Sequence, residues 1–194
     1  MNPRSLLSRL LRRRESGIFL ALMGLMFLIS LYRPEFAAGG NLYLVSRQIA
    51  YVAIVALGVF FVILTSGIDL SIGSLVGLTG VTCGLAMAAG LPPVLSVAVG
   101  LLTGAVAGAV NGIVVSYVGV TPFIVTLGML SIARGVVLVL THGDSIRDIP
   151  ESFIRLGSAN VLGIPLPVVV LAILAVASHV VLTYMPFGRR IYAL

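Results

Sequence analysis

Residues 94–117 read VLSVAVGLLTGAVAGAVNGIVVSY, a run without one charged side chain and with a glycine at every fourth position from Gly100 to Gly112. Crossing a hydrocarbon core as a helix takes about 20 apolar residues, with a range of about 17–25. The run has that length. Lipid offers nothing to an unpaired backbone N–H or C=O, so a spanning segment of this kind is a helix, whose backbone bonds close within the segment. On that helix Gly100, Gly104, Gly108 and Gly112 form one stripe without side chains. A neighbouring backbone can approach closely there, and tight packing replaces the hydrophobic drive that lipid removes.

Outward from this run lie five more apolar stretches, at 17–32, 49–66, 72–90, 123–140 and 164–184. The first is short and the second marginal, and both can lengthen by a turn into their flanks. Composition agrees, with 59% hydrophobic and only 9% charged residues. Soluble domains carry about 25% charged residues. The expected fold class is therefore all-α, a polytopic transmembrane helix bundle of about six spans. Residues 1–16 are expected to be a cytoplasmic basic N-terminus, and 17–194 one transmembrane domain. The first apolar run is followed at once by Arg33-Pro34-Glu35 with no clean small-x-small site, so it reads as a span rather than a cleaved signal.

Arginine supplies the orientation. Arg4, Arg9, Arg12, Arg13 and Arg14 precede the first run, and Arg189 and Arg190 follow the last. Basic residues beside spans are retained on the cytoplasmic side. Six crossings bring both termini to that side and place 141–163 outside. Arg33 and Arg47 fall outside against the rule, and Glu35 only partly offsets them.

The same inventory narrows function. The net charge is +6, but no basic stripe exists away from the termini, so no nucleic-acid partner is expected. All basic residues are arginine, and a phosphate-cradling loop of the Walker type needs a lysine. The chain is then not expected to hydrolyse nucleotide that way by itself. One cysteine, Cys83, and two histidines make no metal-ligand cluster. No catalytic residue, metal or cofactor is expected: a Ser–His pair can be imagined from Ser71 and His179, but nothing in the sequence positions a base beside a nucleophile.

Polar groups at membrane depth are costly, about 2.5–3.5 kcal/mol for a charge at a helix centre on insertion scales. Arg134 lies about 9 Å below the outer end of its run by helix rise. Snorkelling outward, an ion pair in the bundle and contact with a transported solute are all open to it. Asn111 falls beside the glycine stripe, where its amide can bond to a neighbouring helix or line a path. Asp69 and Ser71 precede the third run and can cap it. Thr121 can cap the fifth, with Pro122 at its first position. Thr126 and Ser131 can bond back onto their own helix. Asp69, Ser71, Asn111, Thr126 and Arg134 are the candidate pathway or structural polar residues. In the outward connection, Asp144, Arg147, Asp148 and Arg155 mix both charge signs with apolar residues, and Pro150 can start a short helix.

Several strings together carry a resemblance. They are Thr65-Ser66-Gly67-Ile68-Asp69-Leu70-Ser71-Ile72-Gly73-Ser74, Asn111-Gly112, Thr121-Pro122-Phe123-Ile124-Val125-Thr126-Leu127-Gly128, Ser131-Ile132-Ala133-Arg134-Gly135 and Pro186-Phe187-Gly188-Arg189-Arg190-Ile191-Tyr192-Ala193. From about residue 40 onward the chain resembles the ribose/xylose/arabinose-type permease subunits of bacterial ABC sugar importers. The resemblance implies a transport subunit of the bacterial inner (plasma) membrane that translocates a monosaccharide. It implies three protein partners: a cytoplasmic ATPase subunit, a periplasmic sugar-binding protein and a second permease copy. The loop bearing Asp144, Arg147, Asp148 and Arg155 becomes a candidate contact for the binding protein. Such permeases continue past the Gly-Arg-Arg-Ile-Tyr-Ala string into a segment that docks on the ATPase. The domain is therefore expected to be incomplete at its C-terminus. The alternatives are a permease for another small solute, such as a branched-chain amino acid, and a non-transporting truncated membrane protein.

Overall fold

The computed structural model describes residues 14–193. Arg4, Arg9, Arg12 and Arg13, most of the basic N-terminal stretch, lie outside the described residues. The chain divides into two units, the first ending at Gln48 and the second running from Ile49.

The first unit holds helix α1, Arg14–Tyr32, a single 3-10 turn over Pro34–Ala37, and the opening turns of α2, Gly39–Leu64. Asn41 Nδ2 donates to the Phe36 carbonyl at 2.7 Å and ties the turn to the start of α2. Helix α2 begins ten residues before the expected position of 49. Ser46, Arg47 and Gln48 interrupt the apolar run, but hydrophobicity marks where lipid ends, not where the backbone stops being helical.

The second unit continues α2 and adds α3 (Ile72–Ala88), α4 (Pro93–Ile113), α5 (Pro122–Thr141), α6 (Glu151–Gly157), α7 (Leu166–Tyr184) and α8 (Pro186–Ile191). Helix α4 loosens into a π-type turn over Val114–Val118 and stops at Gly119, whose φ of +78° suits a residue without a side chain. Helix α3 packs against α4 and α5, and α7 against α8. Among the described residues the regular structure is helical except for one two-stranded ladder. There Asn160–Val161 (β1) pairs antiparallel with Ile164–Pro165 (β2). Leu162 and Gly163 join these strands with φ of +53° and +83°, the pattern of a tight hairpin turn.

Among the described residues, four helices are long and apolar enough to cross a membrane: Gly39–Leu64, Pro93–Val118, Pro122–Thr141 and Leu166–Tyr184. Ser16–Tyr32 and Ile72–Ala88 are apolar but shorter. The burial pattern inverts that of a soluble protein. The largest fully buried side chains are Ser71 and Ser96, while Ile18, Val94 and Tyr117 are 73%, 80% and 86% exposed. Small and polar groups meet inside and large apolar ones face outward, as lipid requires. This is a multi-pass membrane protein.

Candidate functional site

Four of the five polar residues singled out from sequence meet at one end of the α3–α4–α5 bundle. The chain leaves α2 at Leu64 and enters α3 at Ile72 through a short connection. Asp69 stands three residues before the helix. Its Oδ1 accepts from the Ser71 N–H at 2.7 Å and from the Ser71 hydroxyl at 2.6 Å. Ser71 occupies the N-cap position with helical φ and ψ of −77° and −16°, and its side chain makes no cap bond; its hydroxyl donates to the Asp69 carboxylate. From α4, Asn111 Nδ2 then donates to Ser71 Oγ at 3.2 Å. The amide orientation follows from this order: a hydroxyl that has given its proton to Asp69 can only accept from Asn111. Asn111 Oδ1 and, one turn along α3, Ser74 Oγ are buried without a partner among the described residues.

Thr126 closes the cluster from α5. Its Oγ1 accepts the Leu70 N–H at 3.1 Å and lies 2.8 Å from the Pro122 carbonyl and 3.3 Å from that of Ile68. So Thr126 does bond backward on its own helix, and it also clasps the connection from α2 to α3. Thr121 takes the N-cap position of α5 without a side-chain cap bond. Pro122 at the first helical position has no N–H to leave unpaired. Ser71, Asn111 and Thr126 are buried, and Asp69 is half-buried at the edge of a cleft of about 330 Å³ bounded by Val55, Gly58 and Val62 of α2.

Arg134 is not part of this cluster. It sits farther along α5, exposed, and makes no hydrogen bond or ion pair with another described residue. It lines a groove of about 670 Å³ at the opposite end of the bundle, with Gly80 and Gly84 of α3 and the connection after α5. That connection folds back on the bundle. A Cβ at Gly84 would lie 3.0 Å from Ile146 Cδ1 and 3.5 Å from Ile149 Cδ1, so this glycine makes room for the loop.

The stripe on α4 divides in two. A Cβ at Gly100 would lie 2.9 Å from the Thr79 carbonyl oxygen, and one at Gly104 3.0 Å from Thr79 Cγ2. Gly108 and Gly112 have nothing within 4 Å. The loop charges Asp144, Arg147, Asp148 and Arg155 are exposed. Arg155 pairs with Glu151 at 2.9 Å on the short helix that Pro150 precedes.

Two features escaped the sequence reading. Ser96 is fully buried and bonds to the Leu91 and Pro92 carbonyls at 3.3 and 3.2 Å, tying down the start of α4. Gly188 packs so closely on the Leu182 backbone that any Cβ would collide with its carbonyl and lie 2.6 Å from its Cα. Neither carries a local signal; only the turn between α7 and α8 makes Gly188 obligatory.

Among the described residues no group of three or more His, Cys, Asp or Glu is placed to hold a metal. The arrangement suits close packing of helices through small and polar groups.

The chain is similar in sequence to known proteins. The family described as branched-chain amino acid transport system / permease component matches residues 41–194. The ribose import permease protein of Haemophilus influenzae is 37% identical over 184 residues, covering 93% of this chain and 57% of its own length. The D-allose transport system permease protein of Escherichia coli is 36% identical over 180 residues, covering 92% and 55%. The ribose import permease protein of Bacillus subtilis is 37% identical over 183 residues, covering 93% and 57%. The chain thus spans a little over half the length of these curated relatives. No solved structure matches it.

Proposed function

Because this chain belongs to the family of branched-chain amino acid transport system permease components, we propose that it is a permease subunit of an ATP-binding-cassette importer that moves a monosaccharide. The observation that carries the substrate class is the match across 92–93% of the chain to permeases named for ribose and allose. The subunit lies in the bacterial inner membrane. ATP is hydrolysed on a separate cytoplasmic subunit, a periplasmic binding protein delivers the sugar, and a second permease copy completes the pore. A branched-chain amino acid is the second reading, favoured by the description of the family itself.

In this proposal all six apolar helices cross, both termini are cytoplasmic, and the connection 141–163 is periplasmic. The Asp69–Ser71–Asn111–Thr126 cluster then locks the cytoplasmic end of the bundle. Gly100 and Gly104 pack within the chain, and Gly108 and Gly112 take a neighbouring helix. Asp144, Arg147, Asp148 and Arg155 meet the binding protein.

Two measurements test this. Deleting the gene is expected to abolish uptake of radiolabelled ribose or allose and to spare leucine. The reverse outcome selects the amino acid, and unchanged uptake of all three overturns the importer reading. For topology, Ser158→Cys in a Cys83→Ala background is expected to react with an impermeant thiol reagent in intact cells. Labelling only after lysis inverts the orientation.

A further inference from the structure

Helix α3 packs closely on α4 and α5 but meets α2 across the cleft of about 330 Å³ that Asp69 borders. Among the described residues Asp69 is the one charged group in its walls, and Thr79 is the only other polar side chain there. The Thr79 hydroxyl donates to the Val76 carbonyl at 3.0 Å, so its proton is already used. The Asp69 carboxylate is used on one side only. Its Oδ1 accepts both bonds from Ser71, and its Oδ2 has no hydrogen bond or ion pair among the described residues. The other walls are aliphatic or glycine, with Val55, Gly58 and Val62 on α2 and Ile72 and Leu75 on α3. Position along the chain orders them. Asp69 stands where α2 gives way to α3, and Thr79 lies about 10 Å of helix rise beyond Ile72.

An aliphatic cleft with a half-used carboxylate at one end has few complements. A lipid tail would cover the walls and leave the carboxylate unpaired. A sugar would set hydroxyls against walls that offer them no partner. A further helix is too large, since a 10 Å length of it, about 10–12 Å across with side chains, would fill more than twice the volume. That volume falls at the lower end of small-ligand pockets, about 300–1,000 Å³. A cation that donates hydrogen bonds gains most from Oδ2, because the carboxylate is half-buried beside apolar surface. We propose that the cleft binds a small amphiphilic amine, with its ammonium on Asp69 Oδ2 and its hydrocarbon body laid between α2 and α3 toward Thr79.

Protection of an introduced thiol, measured on the protein in membranes, tests this. Gly58→Cys in a Cys83→Ala background sets the thiol in the cleft wall, at a position where a Cβ meets nothing within 4 Å. The probes are octylamine, octanol and octanoate at matched membrane concentration. Octylamine is expected to slow thiol labelling at about tenfold lower concentration than octanol, the scale of one charged hydrogen bond. Octanoate should not protect. Asp69→Asn keeps an acceptor for Ser71 but removes the charge, and should bring octylamine to the level of octanol. Val55→Phe fills the cleft from α2 without touching Ser71 or Asn111, and should abolish protection by octylamine. Equal protection by all three probes overturns the proposal and makes the cleft an unselective crevice. An unchanged preference for octylamine in Asp69→Asn also overturns it, as does undiminished protection in Val55→Phe. Transport enters none of these readouts, so the importer reading stands or falls separately.

Discussion

At one end of the α3–α4–α5 bundle, the chain between Leu64 and Ile72 is gripped from three sides: by Asp69 within the connection, Asn111 from α4 and Thr126 from α5. At the other end, the longer connection after Thr141 rests on the bundle through Ile146 and Ile149 over one glycine, and Arg134 below it has no partner in the described chain. One end spends its polar groups on each other, with Asn111 Oδ1, Ser74 Oγ and the second Asp69 oxygen left over among the described residues. The other leaves a cation, a carboxylate and a groove unspent. A short connection fixed by buried hydrogen bonds gives a rigid reference, and a long one held by apolar contacts leaves room for something to bind.

The largest effect is expected at Gly100. A leucine there must displace the Thr79 carbonyl or Cys83, both fixed on α3. Overpacking of this kind costs about 1–3 kcal/mol. Gly108→Leu, with nothing within 4 Å, should leave the thermal stability of the single chain within about 0.5 kcal/mol of wild type and weaken self-association instead. Thermal unfolding in detergent beside a sedimentation measurement of both variants decides it. Equal melting of the two would mean that the seam is no tighter than the open half of the stripe.

Next comes the clasp. Ser71→Ala strands the Asn111 amide in a buried site and removes one hydrogen bond from the Asp69 carboxylate. The cost should be about 1–2 kcal/mol, with membrane hydrogen bonds at the lower end of that span. Thr126→Val leaves the Leu70 N–H without its acceptor and should cost about 1 kcal/mol, while Thr126→Ser should restore it. A cysteine placed at exposed Ile68 should become faster to label in both destabilised variants. Unchanged labelling would show that α3 and α5 hold this connection without the polar cluster.

The contrast also explains what could be read in advance. The apolar stretches were legible because hydrocarbon imposes length and composition on each helix separately. The start of α2 was not, because Ser46, Arg47 and Gln48 end the apolar run while the helix continues through them. The glycine register at 100, 104, 108 and 112 was legible as a stripe. Which half touches α3 depends on the crossing of two helices, and spacing does not encode that. Asp69, Ser71, Asn111 and Thr126 each stood out as polar groups in apolar company. Their convergence joins positions 40 and 56 residues apart, and no local pattern reports such distances. The hairpin at 160–165 went unseen because a ladder of two residues per strand leaves no periodicity to detect. The demand for glycine at Gly188 arises only when α8 folds back on Leu182.

The smallest effect is expected on the surface of α6. Glu151 and Arg155 pair at 2.9 Å, with side chains 76% and 75% exposed. Exposed pairs of this kind are worth about 0–1 kcal/mol, and helical i,i+4 pairs about 0.3–0.5. Arg155→Glu replaces attraction by repulsion of similar size, so unfolding should move by well under 1 kcal/mol. The proposed docking role predicts a separate outcome. Reversing Asp144, Arg147, Asp148 and Arg155 together should raise the binding-protein concentration needed for half-maximal stimulation of ATP hydrolysis in the assembled importer, because rim charges mainly steer encounter and register. Basal hydrolysis should hold, since the loop and the nucleotide sites lie on opposite faces of the membrane in the proposed topology. A shift in stimulation without a shift in stability makes this end of the molecule a receiving surface. A stability loss as large as that of Ser71→Ala would instead make the loop as structural as the clasp, and the contrast between the two ends would fail.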